Sequence, residues 1–109
     1  MYHRILDGID SLSLPESHPG HSWQSYMCII RDGNRDDVVR KMARAEVQSN
    51  IGAYALNCLS YYRRKYGWDE NTCPNATMLY RKGMVLPLYG KLSAGDVEHI
   101  SCALKESLK

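Results

Sequence analysis

The chain has 109 residues, of which 44% are hydrophobic and 24% charged, the composition of one ordinary globular domain. Its formal charge of +2 is too small to favour nucleic acid or an anionic membrane as a partner. No apolar run approaches the ~18 residues of a membrane span. The N-terminus shows no signal-peptide pattern, so we expect a cytoplasmic protein with no membrane partner.

Four cysteines stand at positions 28, 58, 73 and 102, and none belongs to a C-x-x-C pair or a zinc-ligand spacing. Since the chain shows no export signal and has enough apolar residues for a core, we expect reduced and mostly buried thiols. His18 and His21 flank a Pro-Gly pair with no carboxylate or thiol at ligand spacing. We therefore expect solvated loop histidines and no metal site.

The first predicted element is the end of a helix over residues 1–8, and its start at the first residue suggests a helix cut from something longer. An imperfect alternation over 9–14 stops at Pro15. Ser22–Arg31 is the strongest strand, because aromatic and β-branched residues are dense there. Both faces become apolar towards its end, which is typical of a central strand.

A helix over Arg35–Ala45 is predicted next. Asn34 precedes it as an N-cap, and Asp36 and Asp37 lie in its first turn, where the helix dipole favours negative charge. That position lowers carboxylate pKa values, which argues against a paired-acid catalyst. The extended residues 46–52 follow, so this order predicts a helix packed on one face of a small sheet.

The central stretch, Gln48–Tyr66, follows neither a period of 2 nor one of 3.6 until Ser60. We predict an extended segment, an irregular loop and then a short helix, Tyr61–Tyr66, with Ser60 as its N-cap and Gly67 at its end. Irregular segments between regular elements are where binding residues tend to lie. The central stretch is therefore the candidate site.

The last third is predicted to hold two helices and an extended segment. A helix over 72–82 is capped by its first residue, and Met84–Tyr89 is extended, with Pro87 indicating an edge or irregular strand. Ser93 and Asp96 resemble a capping box at the start of the final helix. Its apolar stripe comprises Val97, Ile100, Ala103, Leu104 and Leu108.

No nucleophile elbow, dinucleotide-binding glycine pattern or P-loop is present. Tyr61–Trp68 interleaves aromatic residues with three cations, which is typical of a surface that stacks bases and pairs with phosphates, and also of an amphipathic helix edge. Because the net charge is only +2, we do not expect nucleic acid as the partner. A local phosphate or diphosphate contact is favoured over it.

A series of short motifs runs along the chain. They are Leu14-Pro15, His21-Ser22-Trp23-Gln24-Ser25-Tyr26, Arg35-Asp36, Ile51-Gly52-Ala53-Tyr54-Ala55-Leu56-Asn57, Tyr61-Tyr62, Tyr66-Gly67, Cys73-Pro74-Asn75-Ala76, Leu79-Tyr80 and Leu86-Pro87-Leu88-Tyr89. Their order and spacing, from about Tyr2 to Leu108, resemble the C-terminal domain of the DegT/StrS-type nucleotide-sugar aminotransferases. These are pyridoxal-phosphate enzymes of the aspartate-aminotransferase fold type.

The resemblance implies a single α+β domain over residues 1–109, the C-terminal domain of a larger aminotransferase. Its sheet would be small and mostly antiparallel, with about three strands and helices packed on one face, as in fold-type I aminotransferases. Residues 1–8 would be the end of the inter-domain helix.

The resemblance also implies that the central stretch borders the substrate site and helps receive a nucleotide-linked sugar. Tyr54, Asn57 and Tyr61 are then the candidate substrate-binding residues. Asn57 stands where the family usually has His. An amide donates and accepts hydrogen bonds but carries no proton near neutral pH, so this residue favours polar recognition over acid–base work.

The family's catalytic lysine, its pyridine-pairing Asp and its phosphate cup belong to the N-terminal large domain. The six lysines here all fall on amphipathic or exposed segments, with no apolar pocket to depress a pKa. We therefore expect no catalytic residue, no cofactor and no transaminase activity in this chain alone, with pyridoxal phosphate belonging to the parent enzyme. The expected partners are the missing large domain and the sugar nucleotide. We also expect self-association, through Met1–Leu14, because a domain without its partner exposes apolar surface.

Two other interpretations stay open. The chain is either a stand-alone truncated homologue that acts as a binding or interaction module, or an anion- or nucleic-acid-binding module centred on Arg63-Arg64-Lys65. An upstream reading frame that encodes a lysine-bearing large domain would favour the aminotransferase. Retention on a polyanion column that depends on the three cations would favour the last interpretation.

Overall fold

Five α-helices and four short β-strands make up the fold in the computed structural model, which describes all 109 residues. In chain order they are α1 (Tyr2–Leu6), β1 (Leu12–Ser13), β2 (Tyr26–Ile30), α2 (Arg35–Arg44), β3 (Asn50–Ile51), a 3₁₀ turn (Leu56–Cys58), α3 (Ser60–Tyr66), α4 (Pro74–Lys82), β4 (Gly83–Leu86) and α5 (Ala94–Ser107). No helix combines the length and the apolar character that crossing a membrane requires.

The sheet has the order β1-β2-β4-β3, and every neighbouring pair is antiparallel. The predicted α+β class and antiparallel sheet are confirmed, with a fourth strand beyond the expected three. β2 is central, as predicted, and pairs with β4 from Tyr26 opposite Leu86 to Ile29 opposite Gly83. The expectation of an edge or irregular strand over Met84–Tyr89 is wrong. β4 has a partner on both sides, and it ends at Leu86, so Pro87 never has to supply a ladder N–H.

One face of the sheet carries the core. Along β2 the side chains of Tyr26, Cys28 and Ile30 are buried, whereas Met27 and Ile29 on the opposite face are only half-buried. The buried side chains pack with residues of α1, α2 and α5 in a single hydrophobic cluster. The predicted packing of helices on one face is therefore confirmed for these three helices.

Trp23 delays the start of the predicted strand by four residues. Its φ of 50° lies in the left-handed region, which a bulky side chain rarely adopts. The Trp23 N–H donates to Nδ1 of His21 at 2.9 Å, and the two rings stack with centroids 3.9 Å apart. Because a residue with this backbone does not continue a strand, β2 begins only at Tyr26.

The helix caps are partly as predicted. Asn34 caps α2 through its side chain, and Ser93 and Asp96 form the reciprocal capping box of α5. The prediction for Ser60 is wrong, because Ser60 is the first residue of α3 and makes no capping bond. The prediction for Thr72 is also wrong: its hydroxyl accepts from the Asp69 N–H at 2.9 Å instead.

The cysteines are free, as predicted, but the expectation that most are buried is wrong. Cys28 is completely buried, Cys58 is half-buried, and Cys73 and Cys102 are exposed. Burial raises the pKa of the Cys28 thiol to about 12. The exposed thiols lie on the outer ends or faces of helices, where apolar packing does not need them.

Candidate functional site

The central stretch begins as the edge strand β3, which runs beside β4. The Gly52 N–H donates to the Gly83 carbonyl at 3.1 Å. A Cβ built on Gly52 would lie only 2.7 Å from Sδ of Met27, so this position admits no side chain unless Met27 moves. The chain then leaves the sheet through the 3₁₀ turn and enters α3.

Asn57 lies in the interior, where 3% of its surface is exposed. Its Nδ2 donates to the Asp69 carbonyl and to Oγ1 of Thr77, both at 2.9 Å. The Thr77 hydroxyl donates its own proton to the Glu70 carbonyl at 2.7 Å, so it can only accept from Asn57. Since both partners are acceptors, the amide nitrogen must face them, which fixes the orientation of the side chain.

This network joins three segments that are distant in sequence. Asn57 belongs to the 3₁₀ turn, Asp69 and Glu70 to the loop before α4, and Thr77 to α4 itself. Outside the network, the Glu70 carboxylate pairs with Arg81, which raises the pKa of the guanidinium above its usual range. Both N–H bonds of the Asn57 amide are used, so only its Oδ1 is left for a ligand. Substrate contact by this residue stays a prediction.

Tyr54 presents its ring to solvent, with 65% of its surface exposed. The ring rests on that of Tyr80, with centroids 5.6 Å apart. The Tyr80 carbonyl is in turn held by Arg35, whose Nη1 donates to it and to the Gly83 carbonyl, both at 2.7 Å. An exposed ring on a fixed support is suited to contact with a ligand.

Tyr61 is also exposed, at 57%, but on a different support. It packs edge-on against Tyr62 in α3, with centroids 5.1 Å apart, and its hydroxyl accepts from Nζ of Lys65 at 3.2 Å. Tyr54 therefore belongs to the α4 side of the surface and Tyr61 to the α3 side. Asn57 is buried in the 3₁₀ turn that separates them in the chain.

Two clefts of similar volume lie away from Tyr54, Asn57 and Tyr61. One of about 500 Å³ lies between the end of α2 and α5, with Glu46, Gln48 and His99 among its lining residues. Another of about 500 Å³ is lined by Met1, Trp23 and other residues near α1. Neither cleft includes the three candidate residues. Gln48 is the part of the central stretch that reaches the first cleft. Tyr54 and Tyr61, with Asn57 in the turn between them, form an open wall outside both clefts.

Sequence reasoning missed Arg35, Thr77 and Tyr80, which hold the wall in place. Arg35 is almost fully buried, although arginine is usually exposed. Each of these three residues contacts a partner at least 20 positions away in the sequence. Thr77, for example, accepts a hydrogen bond from Asn57. Arg35 and Tyr80 belong to two of the short motifs, Arg35-Asp36 and Leu79-Tyr80, but neither motif identified a partner.

The lysines do not fit the role of a cofactor-binding residue. A lysine that forms a Schiff base needs a desolvated environment to depress its pKa. All six lysines are exposed: Lys41, Lys65, Lys82, Lys91, Lys105 and Lys109. No group of three or more His, Cys, Asp or Glu side chains is arranged to hold a metal ion.

A model of the DegT/DnrJ/EryC1/StrS aminotransferase family matches residues 1–105. Among curated proteins, the chain is 27% identical to the spore coat polysaccharide biosynthesis protein SpsC of Bacillus subtilis, covering 99% of this chain and 30% of that protein. It is 26% identical to the UDP-4-amino-4-deoxy-L-arabinose–oxoglutarate aminotransferase of Shewanella sediminis, covering 93% of this chain and 28% of that enzyme. The chain thus spans less than a third of the length of these relatives.

The fold has solved counterparts. The sugar aminotransferase Spr1654 from Streptococcus pneumoniae, in its PMP form, superposes with a TM-score of 0.88. The match covers 98% of this chain and 28% of that one, at 22% sequence identity. At this identity the likeness concerns the fold.

Proposed function

Because the chain belongs to the DegT/DnrJ/EryC1/StrS aminotransferase family, we propose that it acts as the C-terminal domain of a pyridoxal-phosphate-dependent nucleotide-sugar aminotransferase. The observation that carries the proposal is the family match over residues 1–105 combined with coverage of only 28–30% of the two quoted relatives. In this proposal the chain supplies one part of a larger enzyme. Residues 1–8 then form the end of the inter-domain helix.

The proposed role of the central stretch is one wall of the sugar-substrate site. Tyr54 and Tyr61 supply exposed rings with hydroxyls that donate and accept hydrogen bonds. Asn57 supports the turn between them and offers its Oδ1 as an acceptor. An open wall of this kind is consistent with a site that is completed by another domain.

Pyridoxal phosphate, in this proposal, is bound by the large domain, where it supplies the electron sink for amino transfer. This chain contributes binding and orientation of the sugar only. With all six lysines exposed, none has the environment of a Schiff-base lysine. We expect the isolated chain to be inactive. Adding pyridoxal phosphate followed by borohydride should leave no stoichiometric lysine adduct by mass spectrometry, and a single-site adduct would contradict the proposal.

A chimera tests the wall directly. Residues 1–105 replace the corresponding region of the Shewanella sediminis aminotransferase, and the cofactor absorbance reports whether the chimera assembles. In a chimera that binds cofactor, Tyr54→Ala should raise KM about tenfold, the equivalent of ~1.4 kcal/mol of lost binding. Tyr89→Ala removes an equally exposed tyrosine at another place and should leave KM unchanged. Equal KM values for the two variants would contradict the role of Tyr54.

Self-association is part of the proposal for the isolated chain. Met1 and Leu88 are exposed and line one cleft together with Trp23. Apolar surface of this kind drives association when the domain that covers it is missing. Sedimentation velocity should show concentration-dependent association that Leu88→Ser weakens. A monomer at every concentration would contradict this part.

A further inference from the structure

A cleft of about 500 Å³ between the end of α2 and α5, here called the Glu46 cleft, contains none of the three candidate substrate-binding residues. Its floor is apolar. Val47 and Ile100 are buried there, beside the half-buried side chains of Pro87 and Leu92. A volume of this size, with an apolar floor and a few polar groups around it, is typical of a site for a small molecule.

The rim of the Glu46 cleft carries negative charge without a counter-charge. Glu46 and Asp96 line the cleft, whereas no lysine or arginine does. Neither carboxylate belongs to any of the four ion pairs of the structure. The Ser93 N–H donates to Oδ2 of Asp96 at 2.9 Å and holds the pKa of this carboxyl below its usual range, so Asp96 is charged near neutral pH. The chain as a whole has a net charge of +2, so the cleft is a local concentration of the opposite sign.

Glu46 holds its position against two local preferences. It directly follows the C-cap of α2, and its φ of 62° lies in the left-handed region. Glycine is the usual residue at this position, because a side chain raises the energy of the left-handed conformation. A carboxylate is also unfavourable beside the negative end of a helix dipole. The ending of α2 therefore does not explain a glutamate here, whereas a bound cation does.

The other polar groups of the rim add acceptors and an open aromatic ring. The Ala45 carbonyl can only accept, so Nε2 of His99 donates to it at 3.3 Å, and Nδ1 of the neutral ring is left as an acceptor. Tyr89 is 60% exposed, and its ring belongs to none of the aromatic pairs of the structure. An ammonium group is attracted to the free face of such a ring.

We propose that the Glu46 cleft binds an aliphatic diamine. One ammonium group pairs with Glu46 and the other with Asp96, and the methylene chain between them covers the apolar floor. The two carboxylates come from different elements, since Glu46 follows α2 and Asp96 lies in the first turn of α5. A stem with a cation at each end matches both acids and the floor. A metal ion matches neither, because no group of three or more His, Cys, Asp or Glu side chains is arranged to hold one.

The test uses the 109-residue chain and three probes: the diamine putrescine, butylamine and Mg²⁺. Putrescine should shift the amide NMR signals of residues 46–48 and 87–100. Butylamine has the same stem with one charge fewer and should bind about fivefold more weakly, the loss expected for one exposed ion pair. Mg²⁺ at the same concentration should not displace putrescine, because it gains nothing from the apolar floor or the ring.

Variants of the rim separate binding from folding. Glu46→Gln should weaken putrescine binding about fivefold. Glu98→Gln is the matched control, because Glu98 is an exposed and unpaired acid of α5 that does not line the cleft. Glu46→Gly should weaken binding as much as Glu46→Gln does, yet raise the midpoint of urea unfolding, since glycine suits the left-handed position. Tyr89→Leu keeps an apolar side chain without a ring face and should weaken binding about threefold.

Five results would overturn the inference: shifts confined to residues outside the cleft, equal loss in Glu46→Gln and Glu98→Gln, equal binding of butylamine and putrescine, displacement by Mg²⁺, or tighter binding of tetralysine than of putrescine through Glu46. The last would identify a surface for a basic polypeptide. The proposed function is tested separately. A chimera that responds to Tyr54→Ala, with no diamine bound at the Glu46 cleft, would leave the proposed function standing and reject this inference alone.

Discussion

At the scale of single residues, Asn57 shows how a polar side chain supports a surface without lying on it. Its amide nitrogen faces two acceptors and donates to both of them. An imidazole carries at most one N–H on each ring nitrogen and would not reproduce this pair from one atom. A histidine at this position would therefore hold the turn in a different way.

Asn57→Asp should destabilise the chain although the two side chains have the same shape. The carboxylate would face the Asp69 carbonyl and the Thr77 hydroxyl without a proton to donate. Leaving buried acceptors unpaired costs ~1–3 kcal/mol. Urea unfolding measures the loss. Asn50→Asp is the matched control, because the exposed Asn50 side chain accepts from the Ile51 N–H at 2.8 Å and a carboxylate does the same. Equal stability of the two variants would refute the donor role.

Gly83 is constrained by contact rather than by its dihedral angles. A Cβ at this position would lie 2.5 Å from the Leu79 carbonyl oxygen, which is backbone and cannot move aside. Gly83→Ala should therefore lower the free energy of unfolding by ~1–3 kcal/mol, the usual cost of overpacking. Gly90→Ala meets no atom within 4 Å and should be close to neutral in the same thermal or urea unfolding experiment. A neutral Gly83→Ala would show that α4 shifts freely against β4.

At the scale of elements, α4 and β4 follow each other without a loop. Lys82 ends the helix and Gly83 begins the strand. Arg35 of α2 braces the junction by donating to carbonyls on both sides of it. The position of Tyr80, and of the Tyr54 ring on it, is thereby tied to the central pair of strands. Through this junction, the candidate wall is held in a fixed position relative to the sheet.

Helix capping gives a prediction with an internal control. Ser93 accepts the Asp96 N–H at 3.1 Å, whereas Ser60 makes no capping bond. Ser93→Ala should cost ~1 kcal/mol of stability, the typical value for loss of an N-cap. Ser60→Ala should change stability little, as measured by urea unfolding. A larger loss for Ser60→Ala would mean that α3 is capped by the residue chosen from sequence.

At the scale of the whole molecule, the protonated side chains of the core set the response to alkali. Burial raises the pKa of Cys28 to about 12 and that of Tyr2 to about 12. In the unfolded chain these groups have their ordinary values of 9.0 and 10.0. The folded state therefore holds protons that the unfolded state releases, and stability falls as pH rises.

We expect the free energy of unfolding to decline from about pH 9 towards pH 12. Cys28→Ala should make this decline shallower, because it removes one of the buried acids. The slope, rather than the absolute stability, is the measured quantity, since the substitution also leaves a small cavity. Cys102→Ala removes an exposed thiol and should preserve the slope. Identical slopes in both variants would contradict the role of Cys28.

Local signals predicted the parts of the fold that depend on neighbouring residues. The Asn34 cap, the Ser93–Asp96 box and the buried stripe of α5 all follow from spacing within one element. The predicted Ser60 cap is wrong because α3 starts at Ser60 itself, one residue earlier than predicted. No side chain in the sequence indicates this earlier start. Pro87 was misleading because its effect depends on where pairing stops, and that is decided by the partner strands.

The sequence indicated which stretch holds the candidate site but not how the side chains of that stretch are arranged. Its irregular pattern and family motifs indicated Tyr54, Asn57 and Tyr61. Which of these faces solvent depends on Thr77, Asp69 and Tyr80, whose positions relative to the turn arise only in the folded chain. A single sequence does not encode such partners in any local pattern.

The buried thiol of Cys28 can report how often the core of the molecule opens. The thiol lies at the centre of the sheet, while two of the other three cysteines face solvent. An alkylating reagent would label the exposed thiols at once and Cys28 only during those excursions that separate β2 from the helices. The slow labelling rate is then a direct reading of how often the core opens under native conditions.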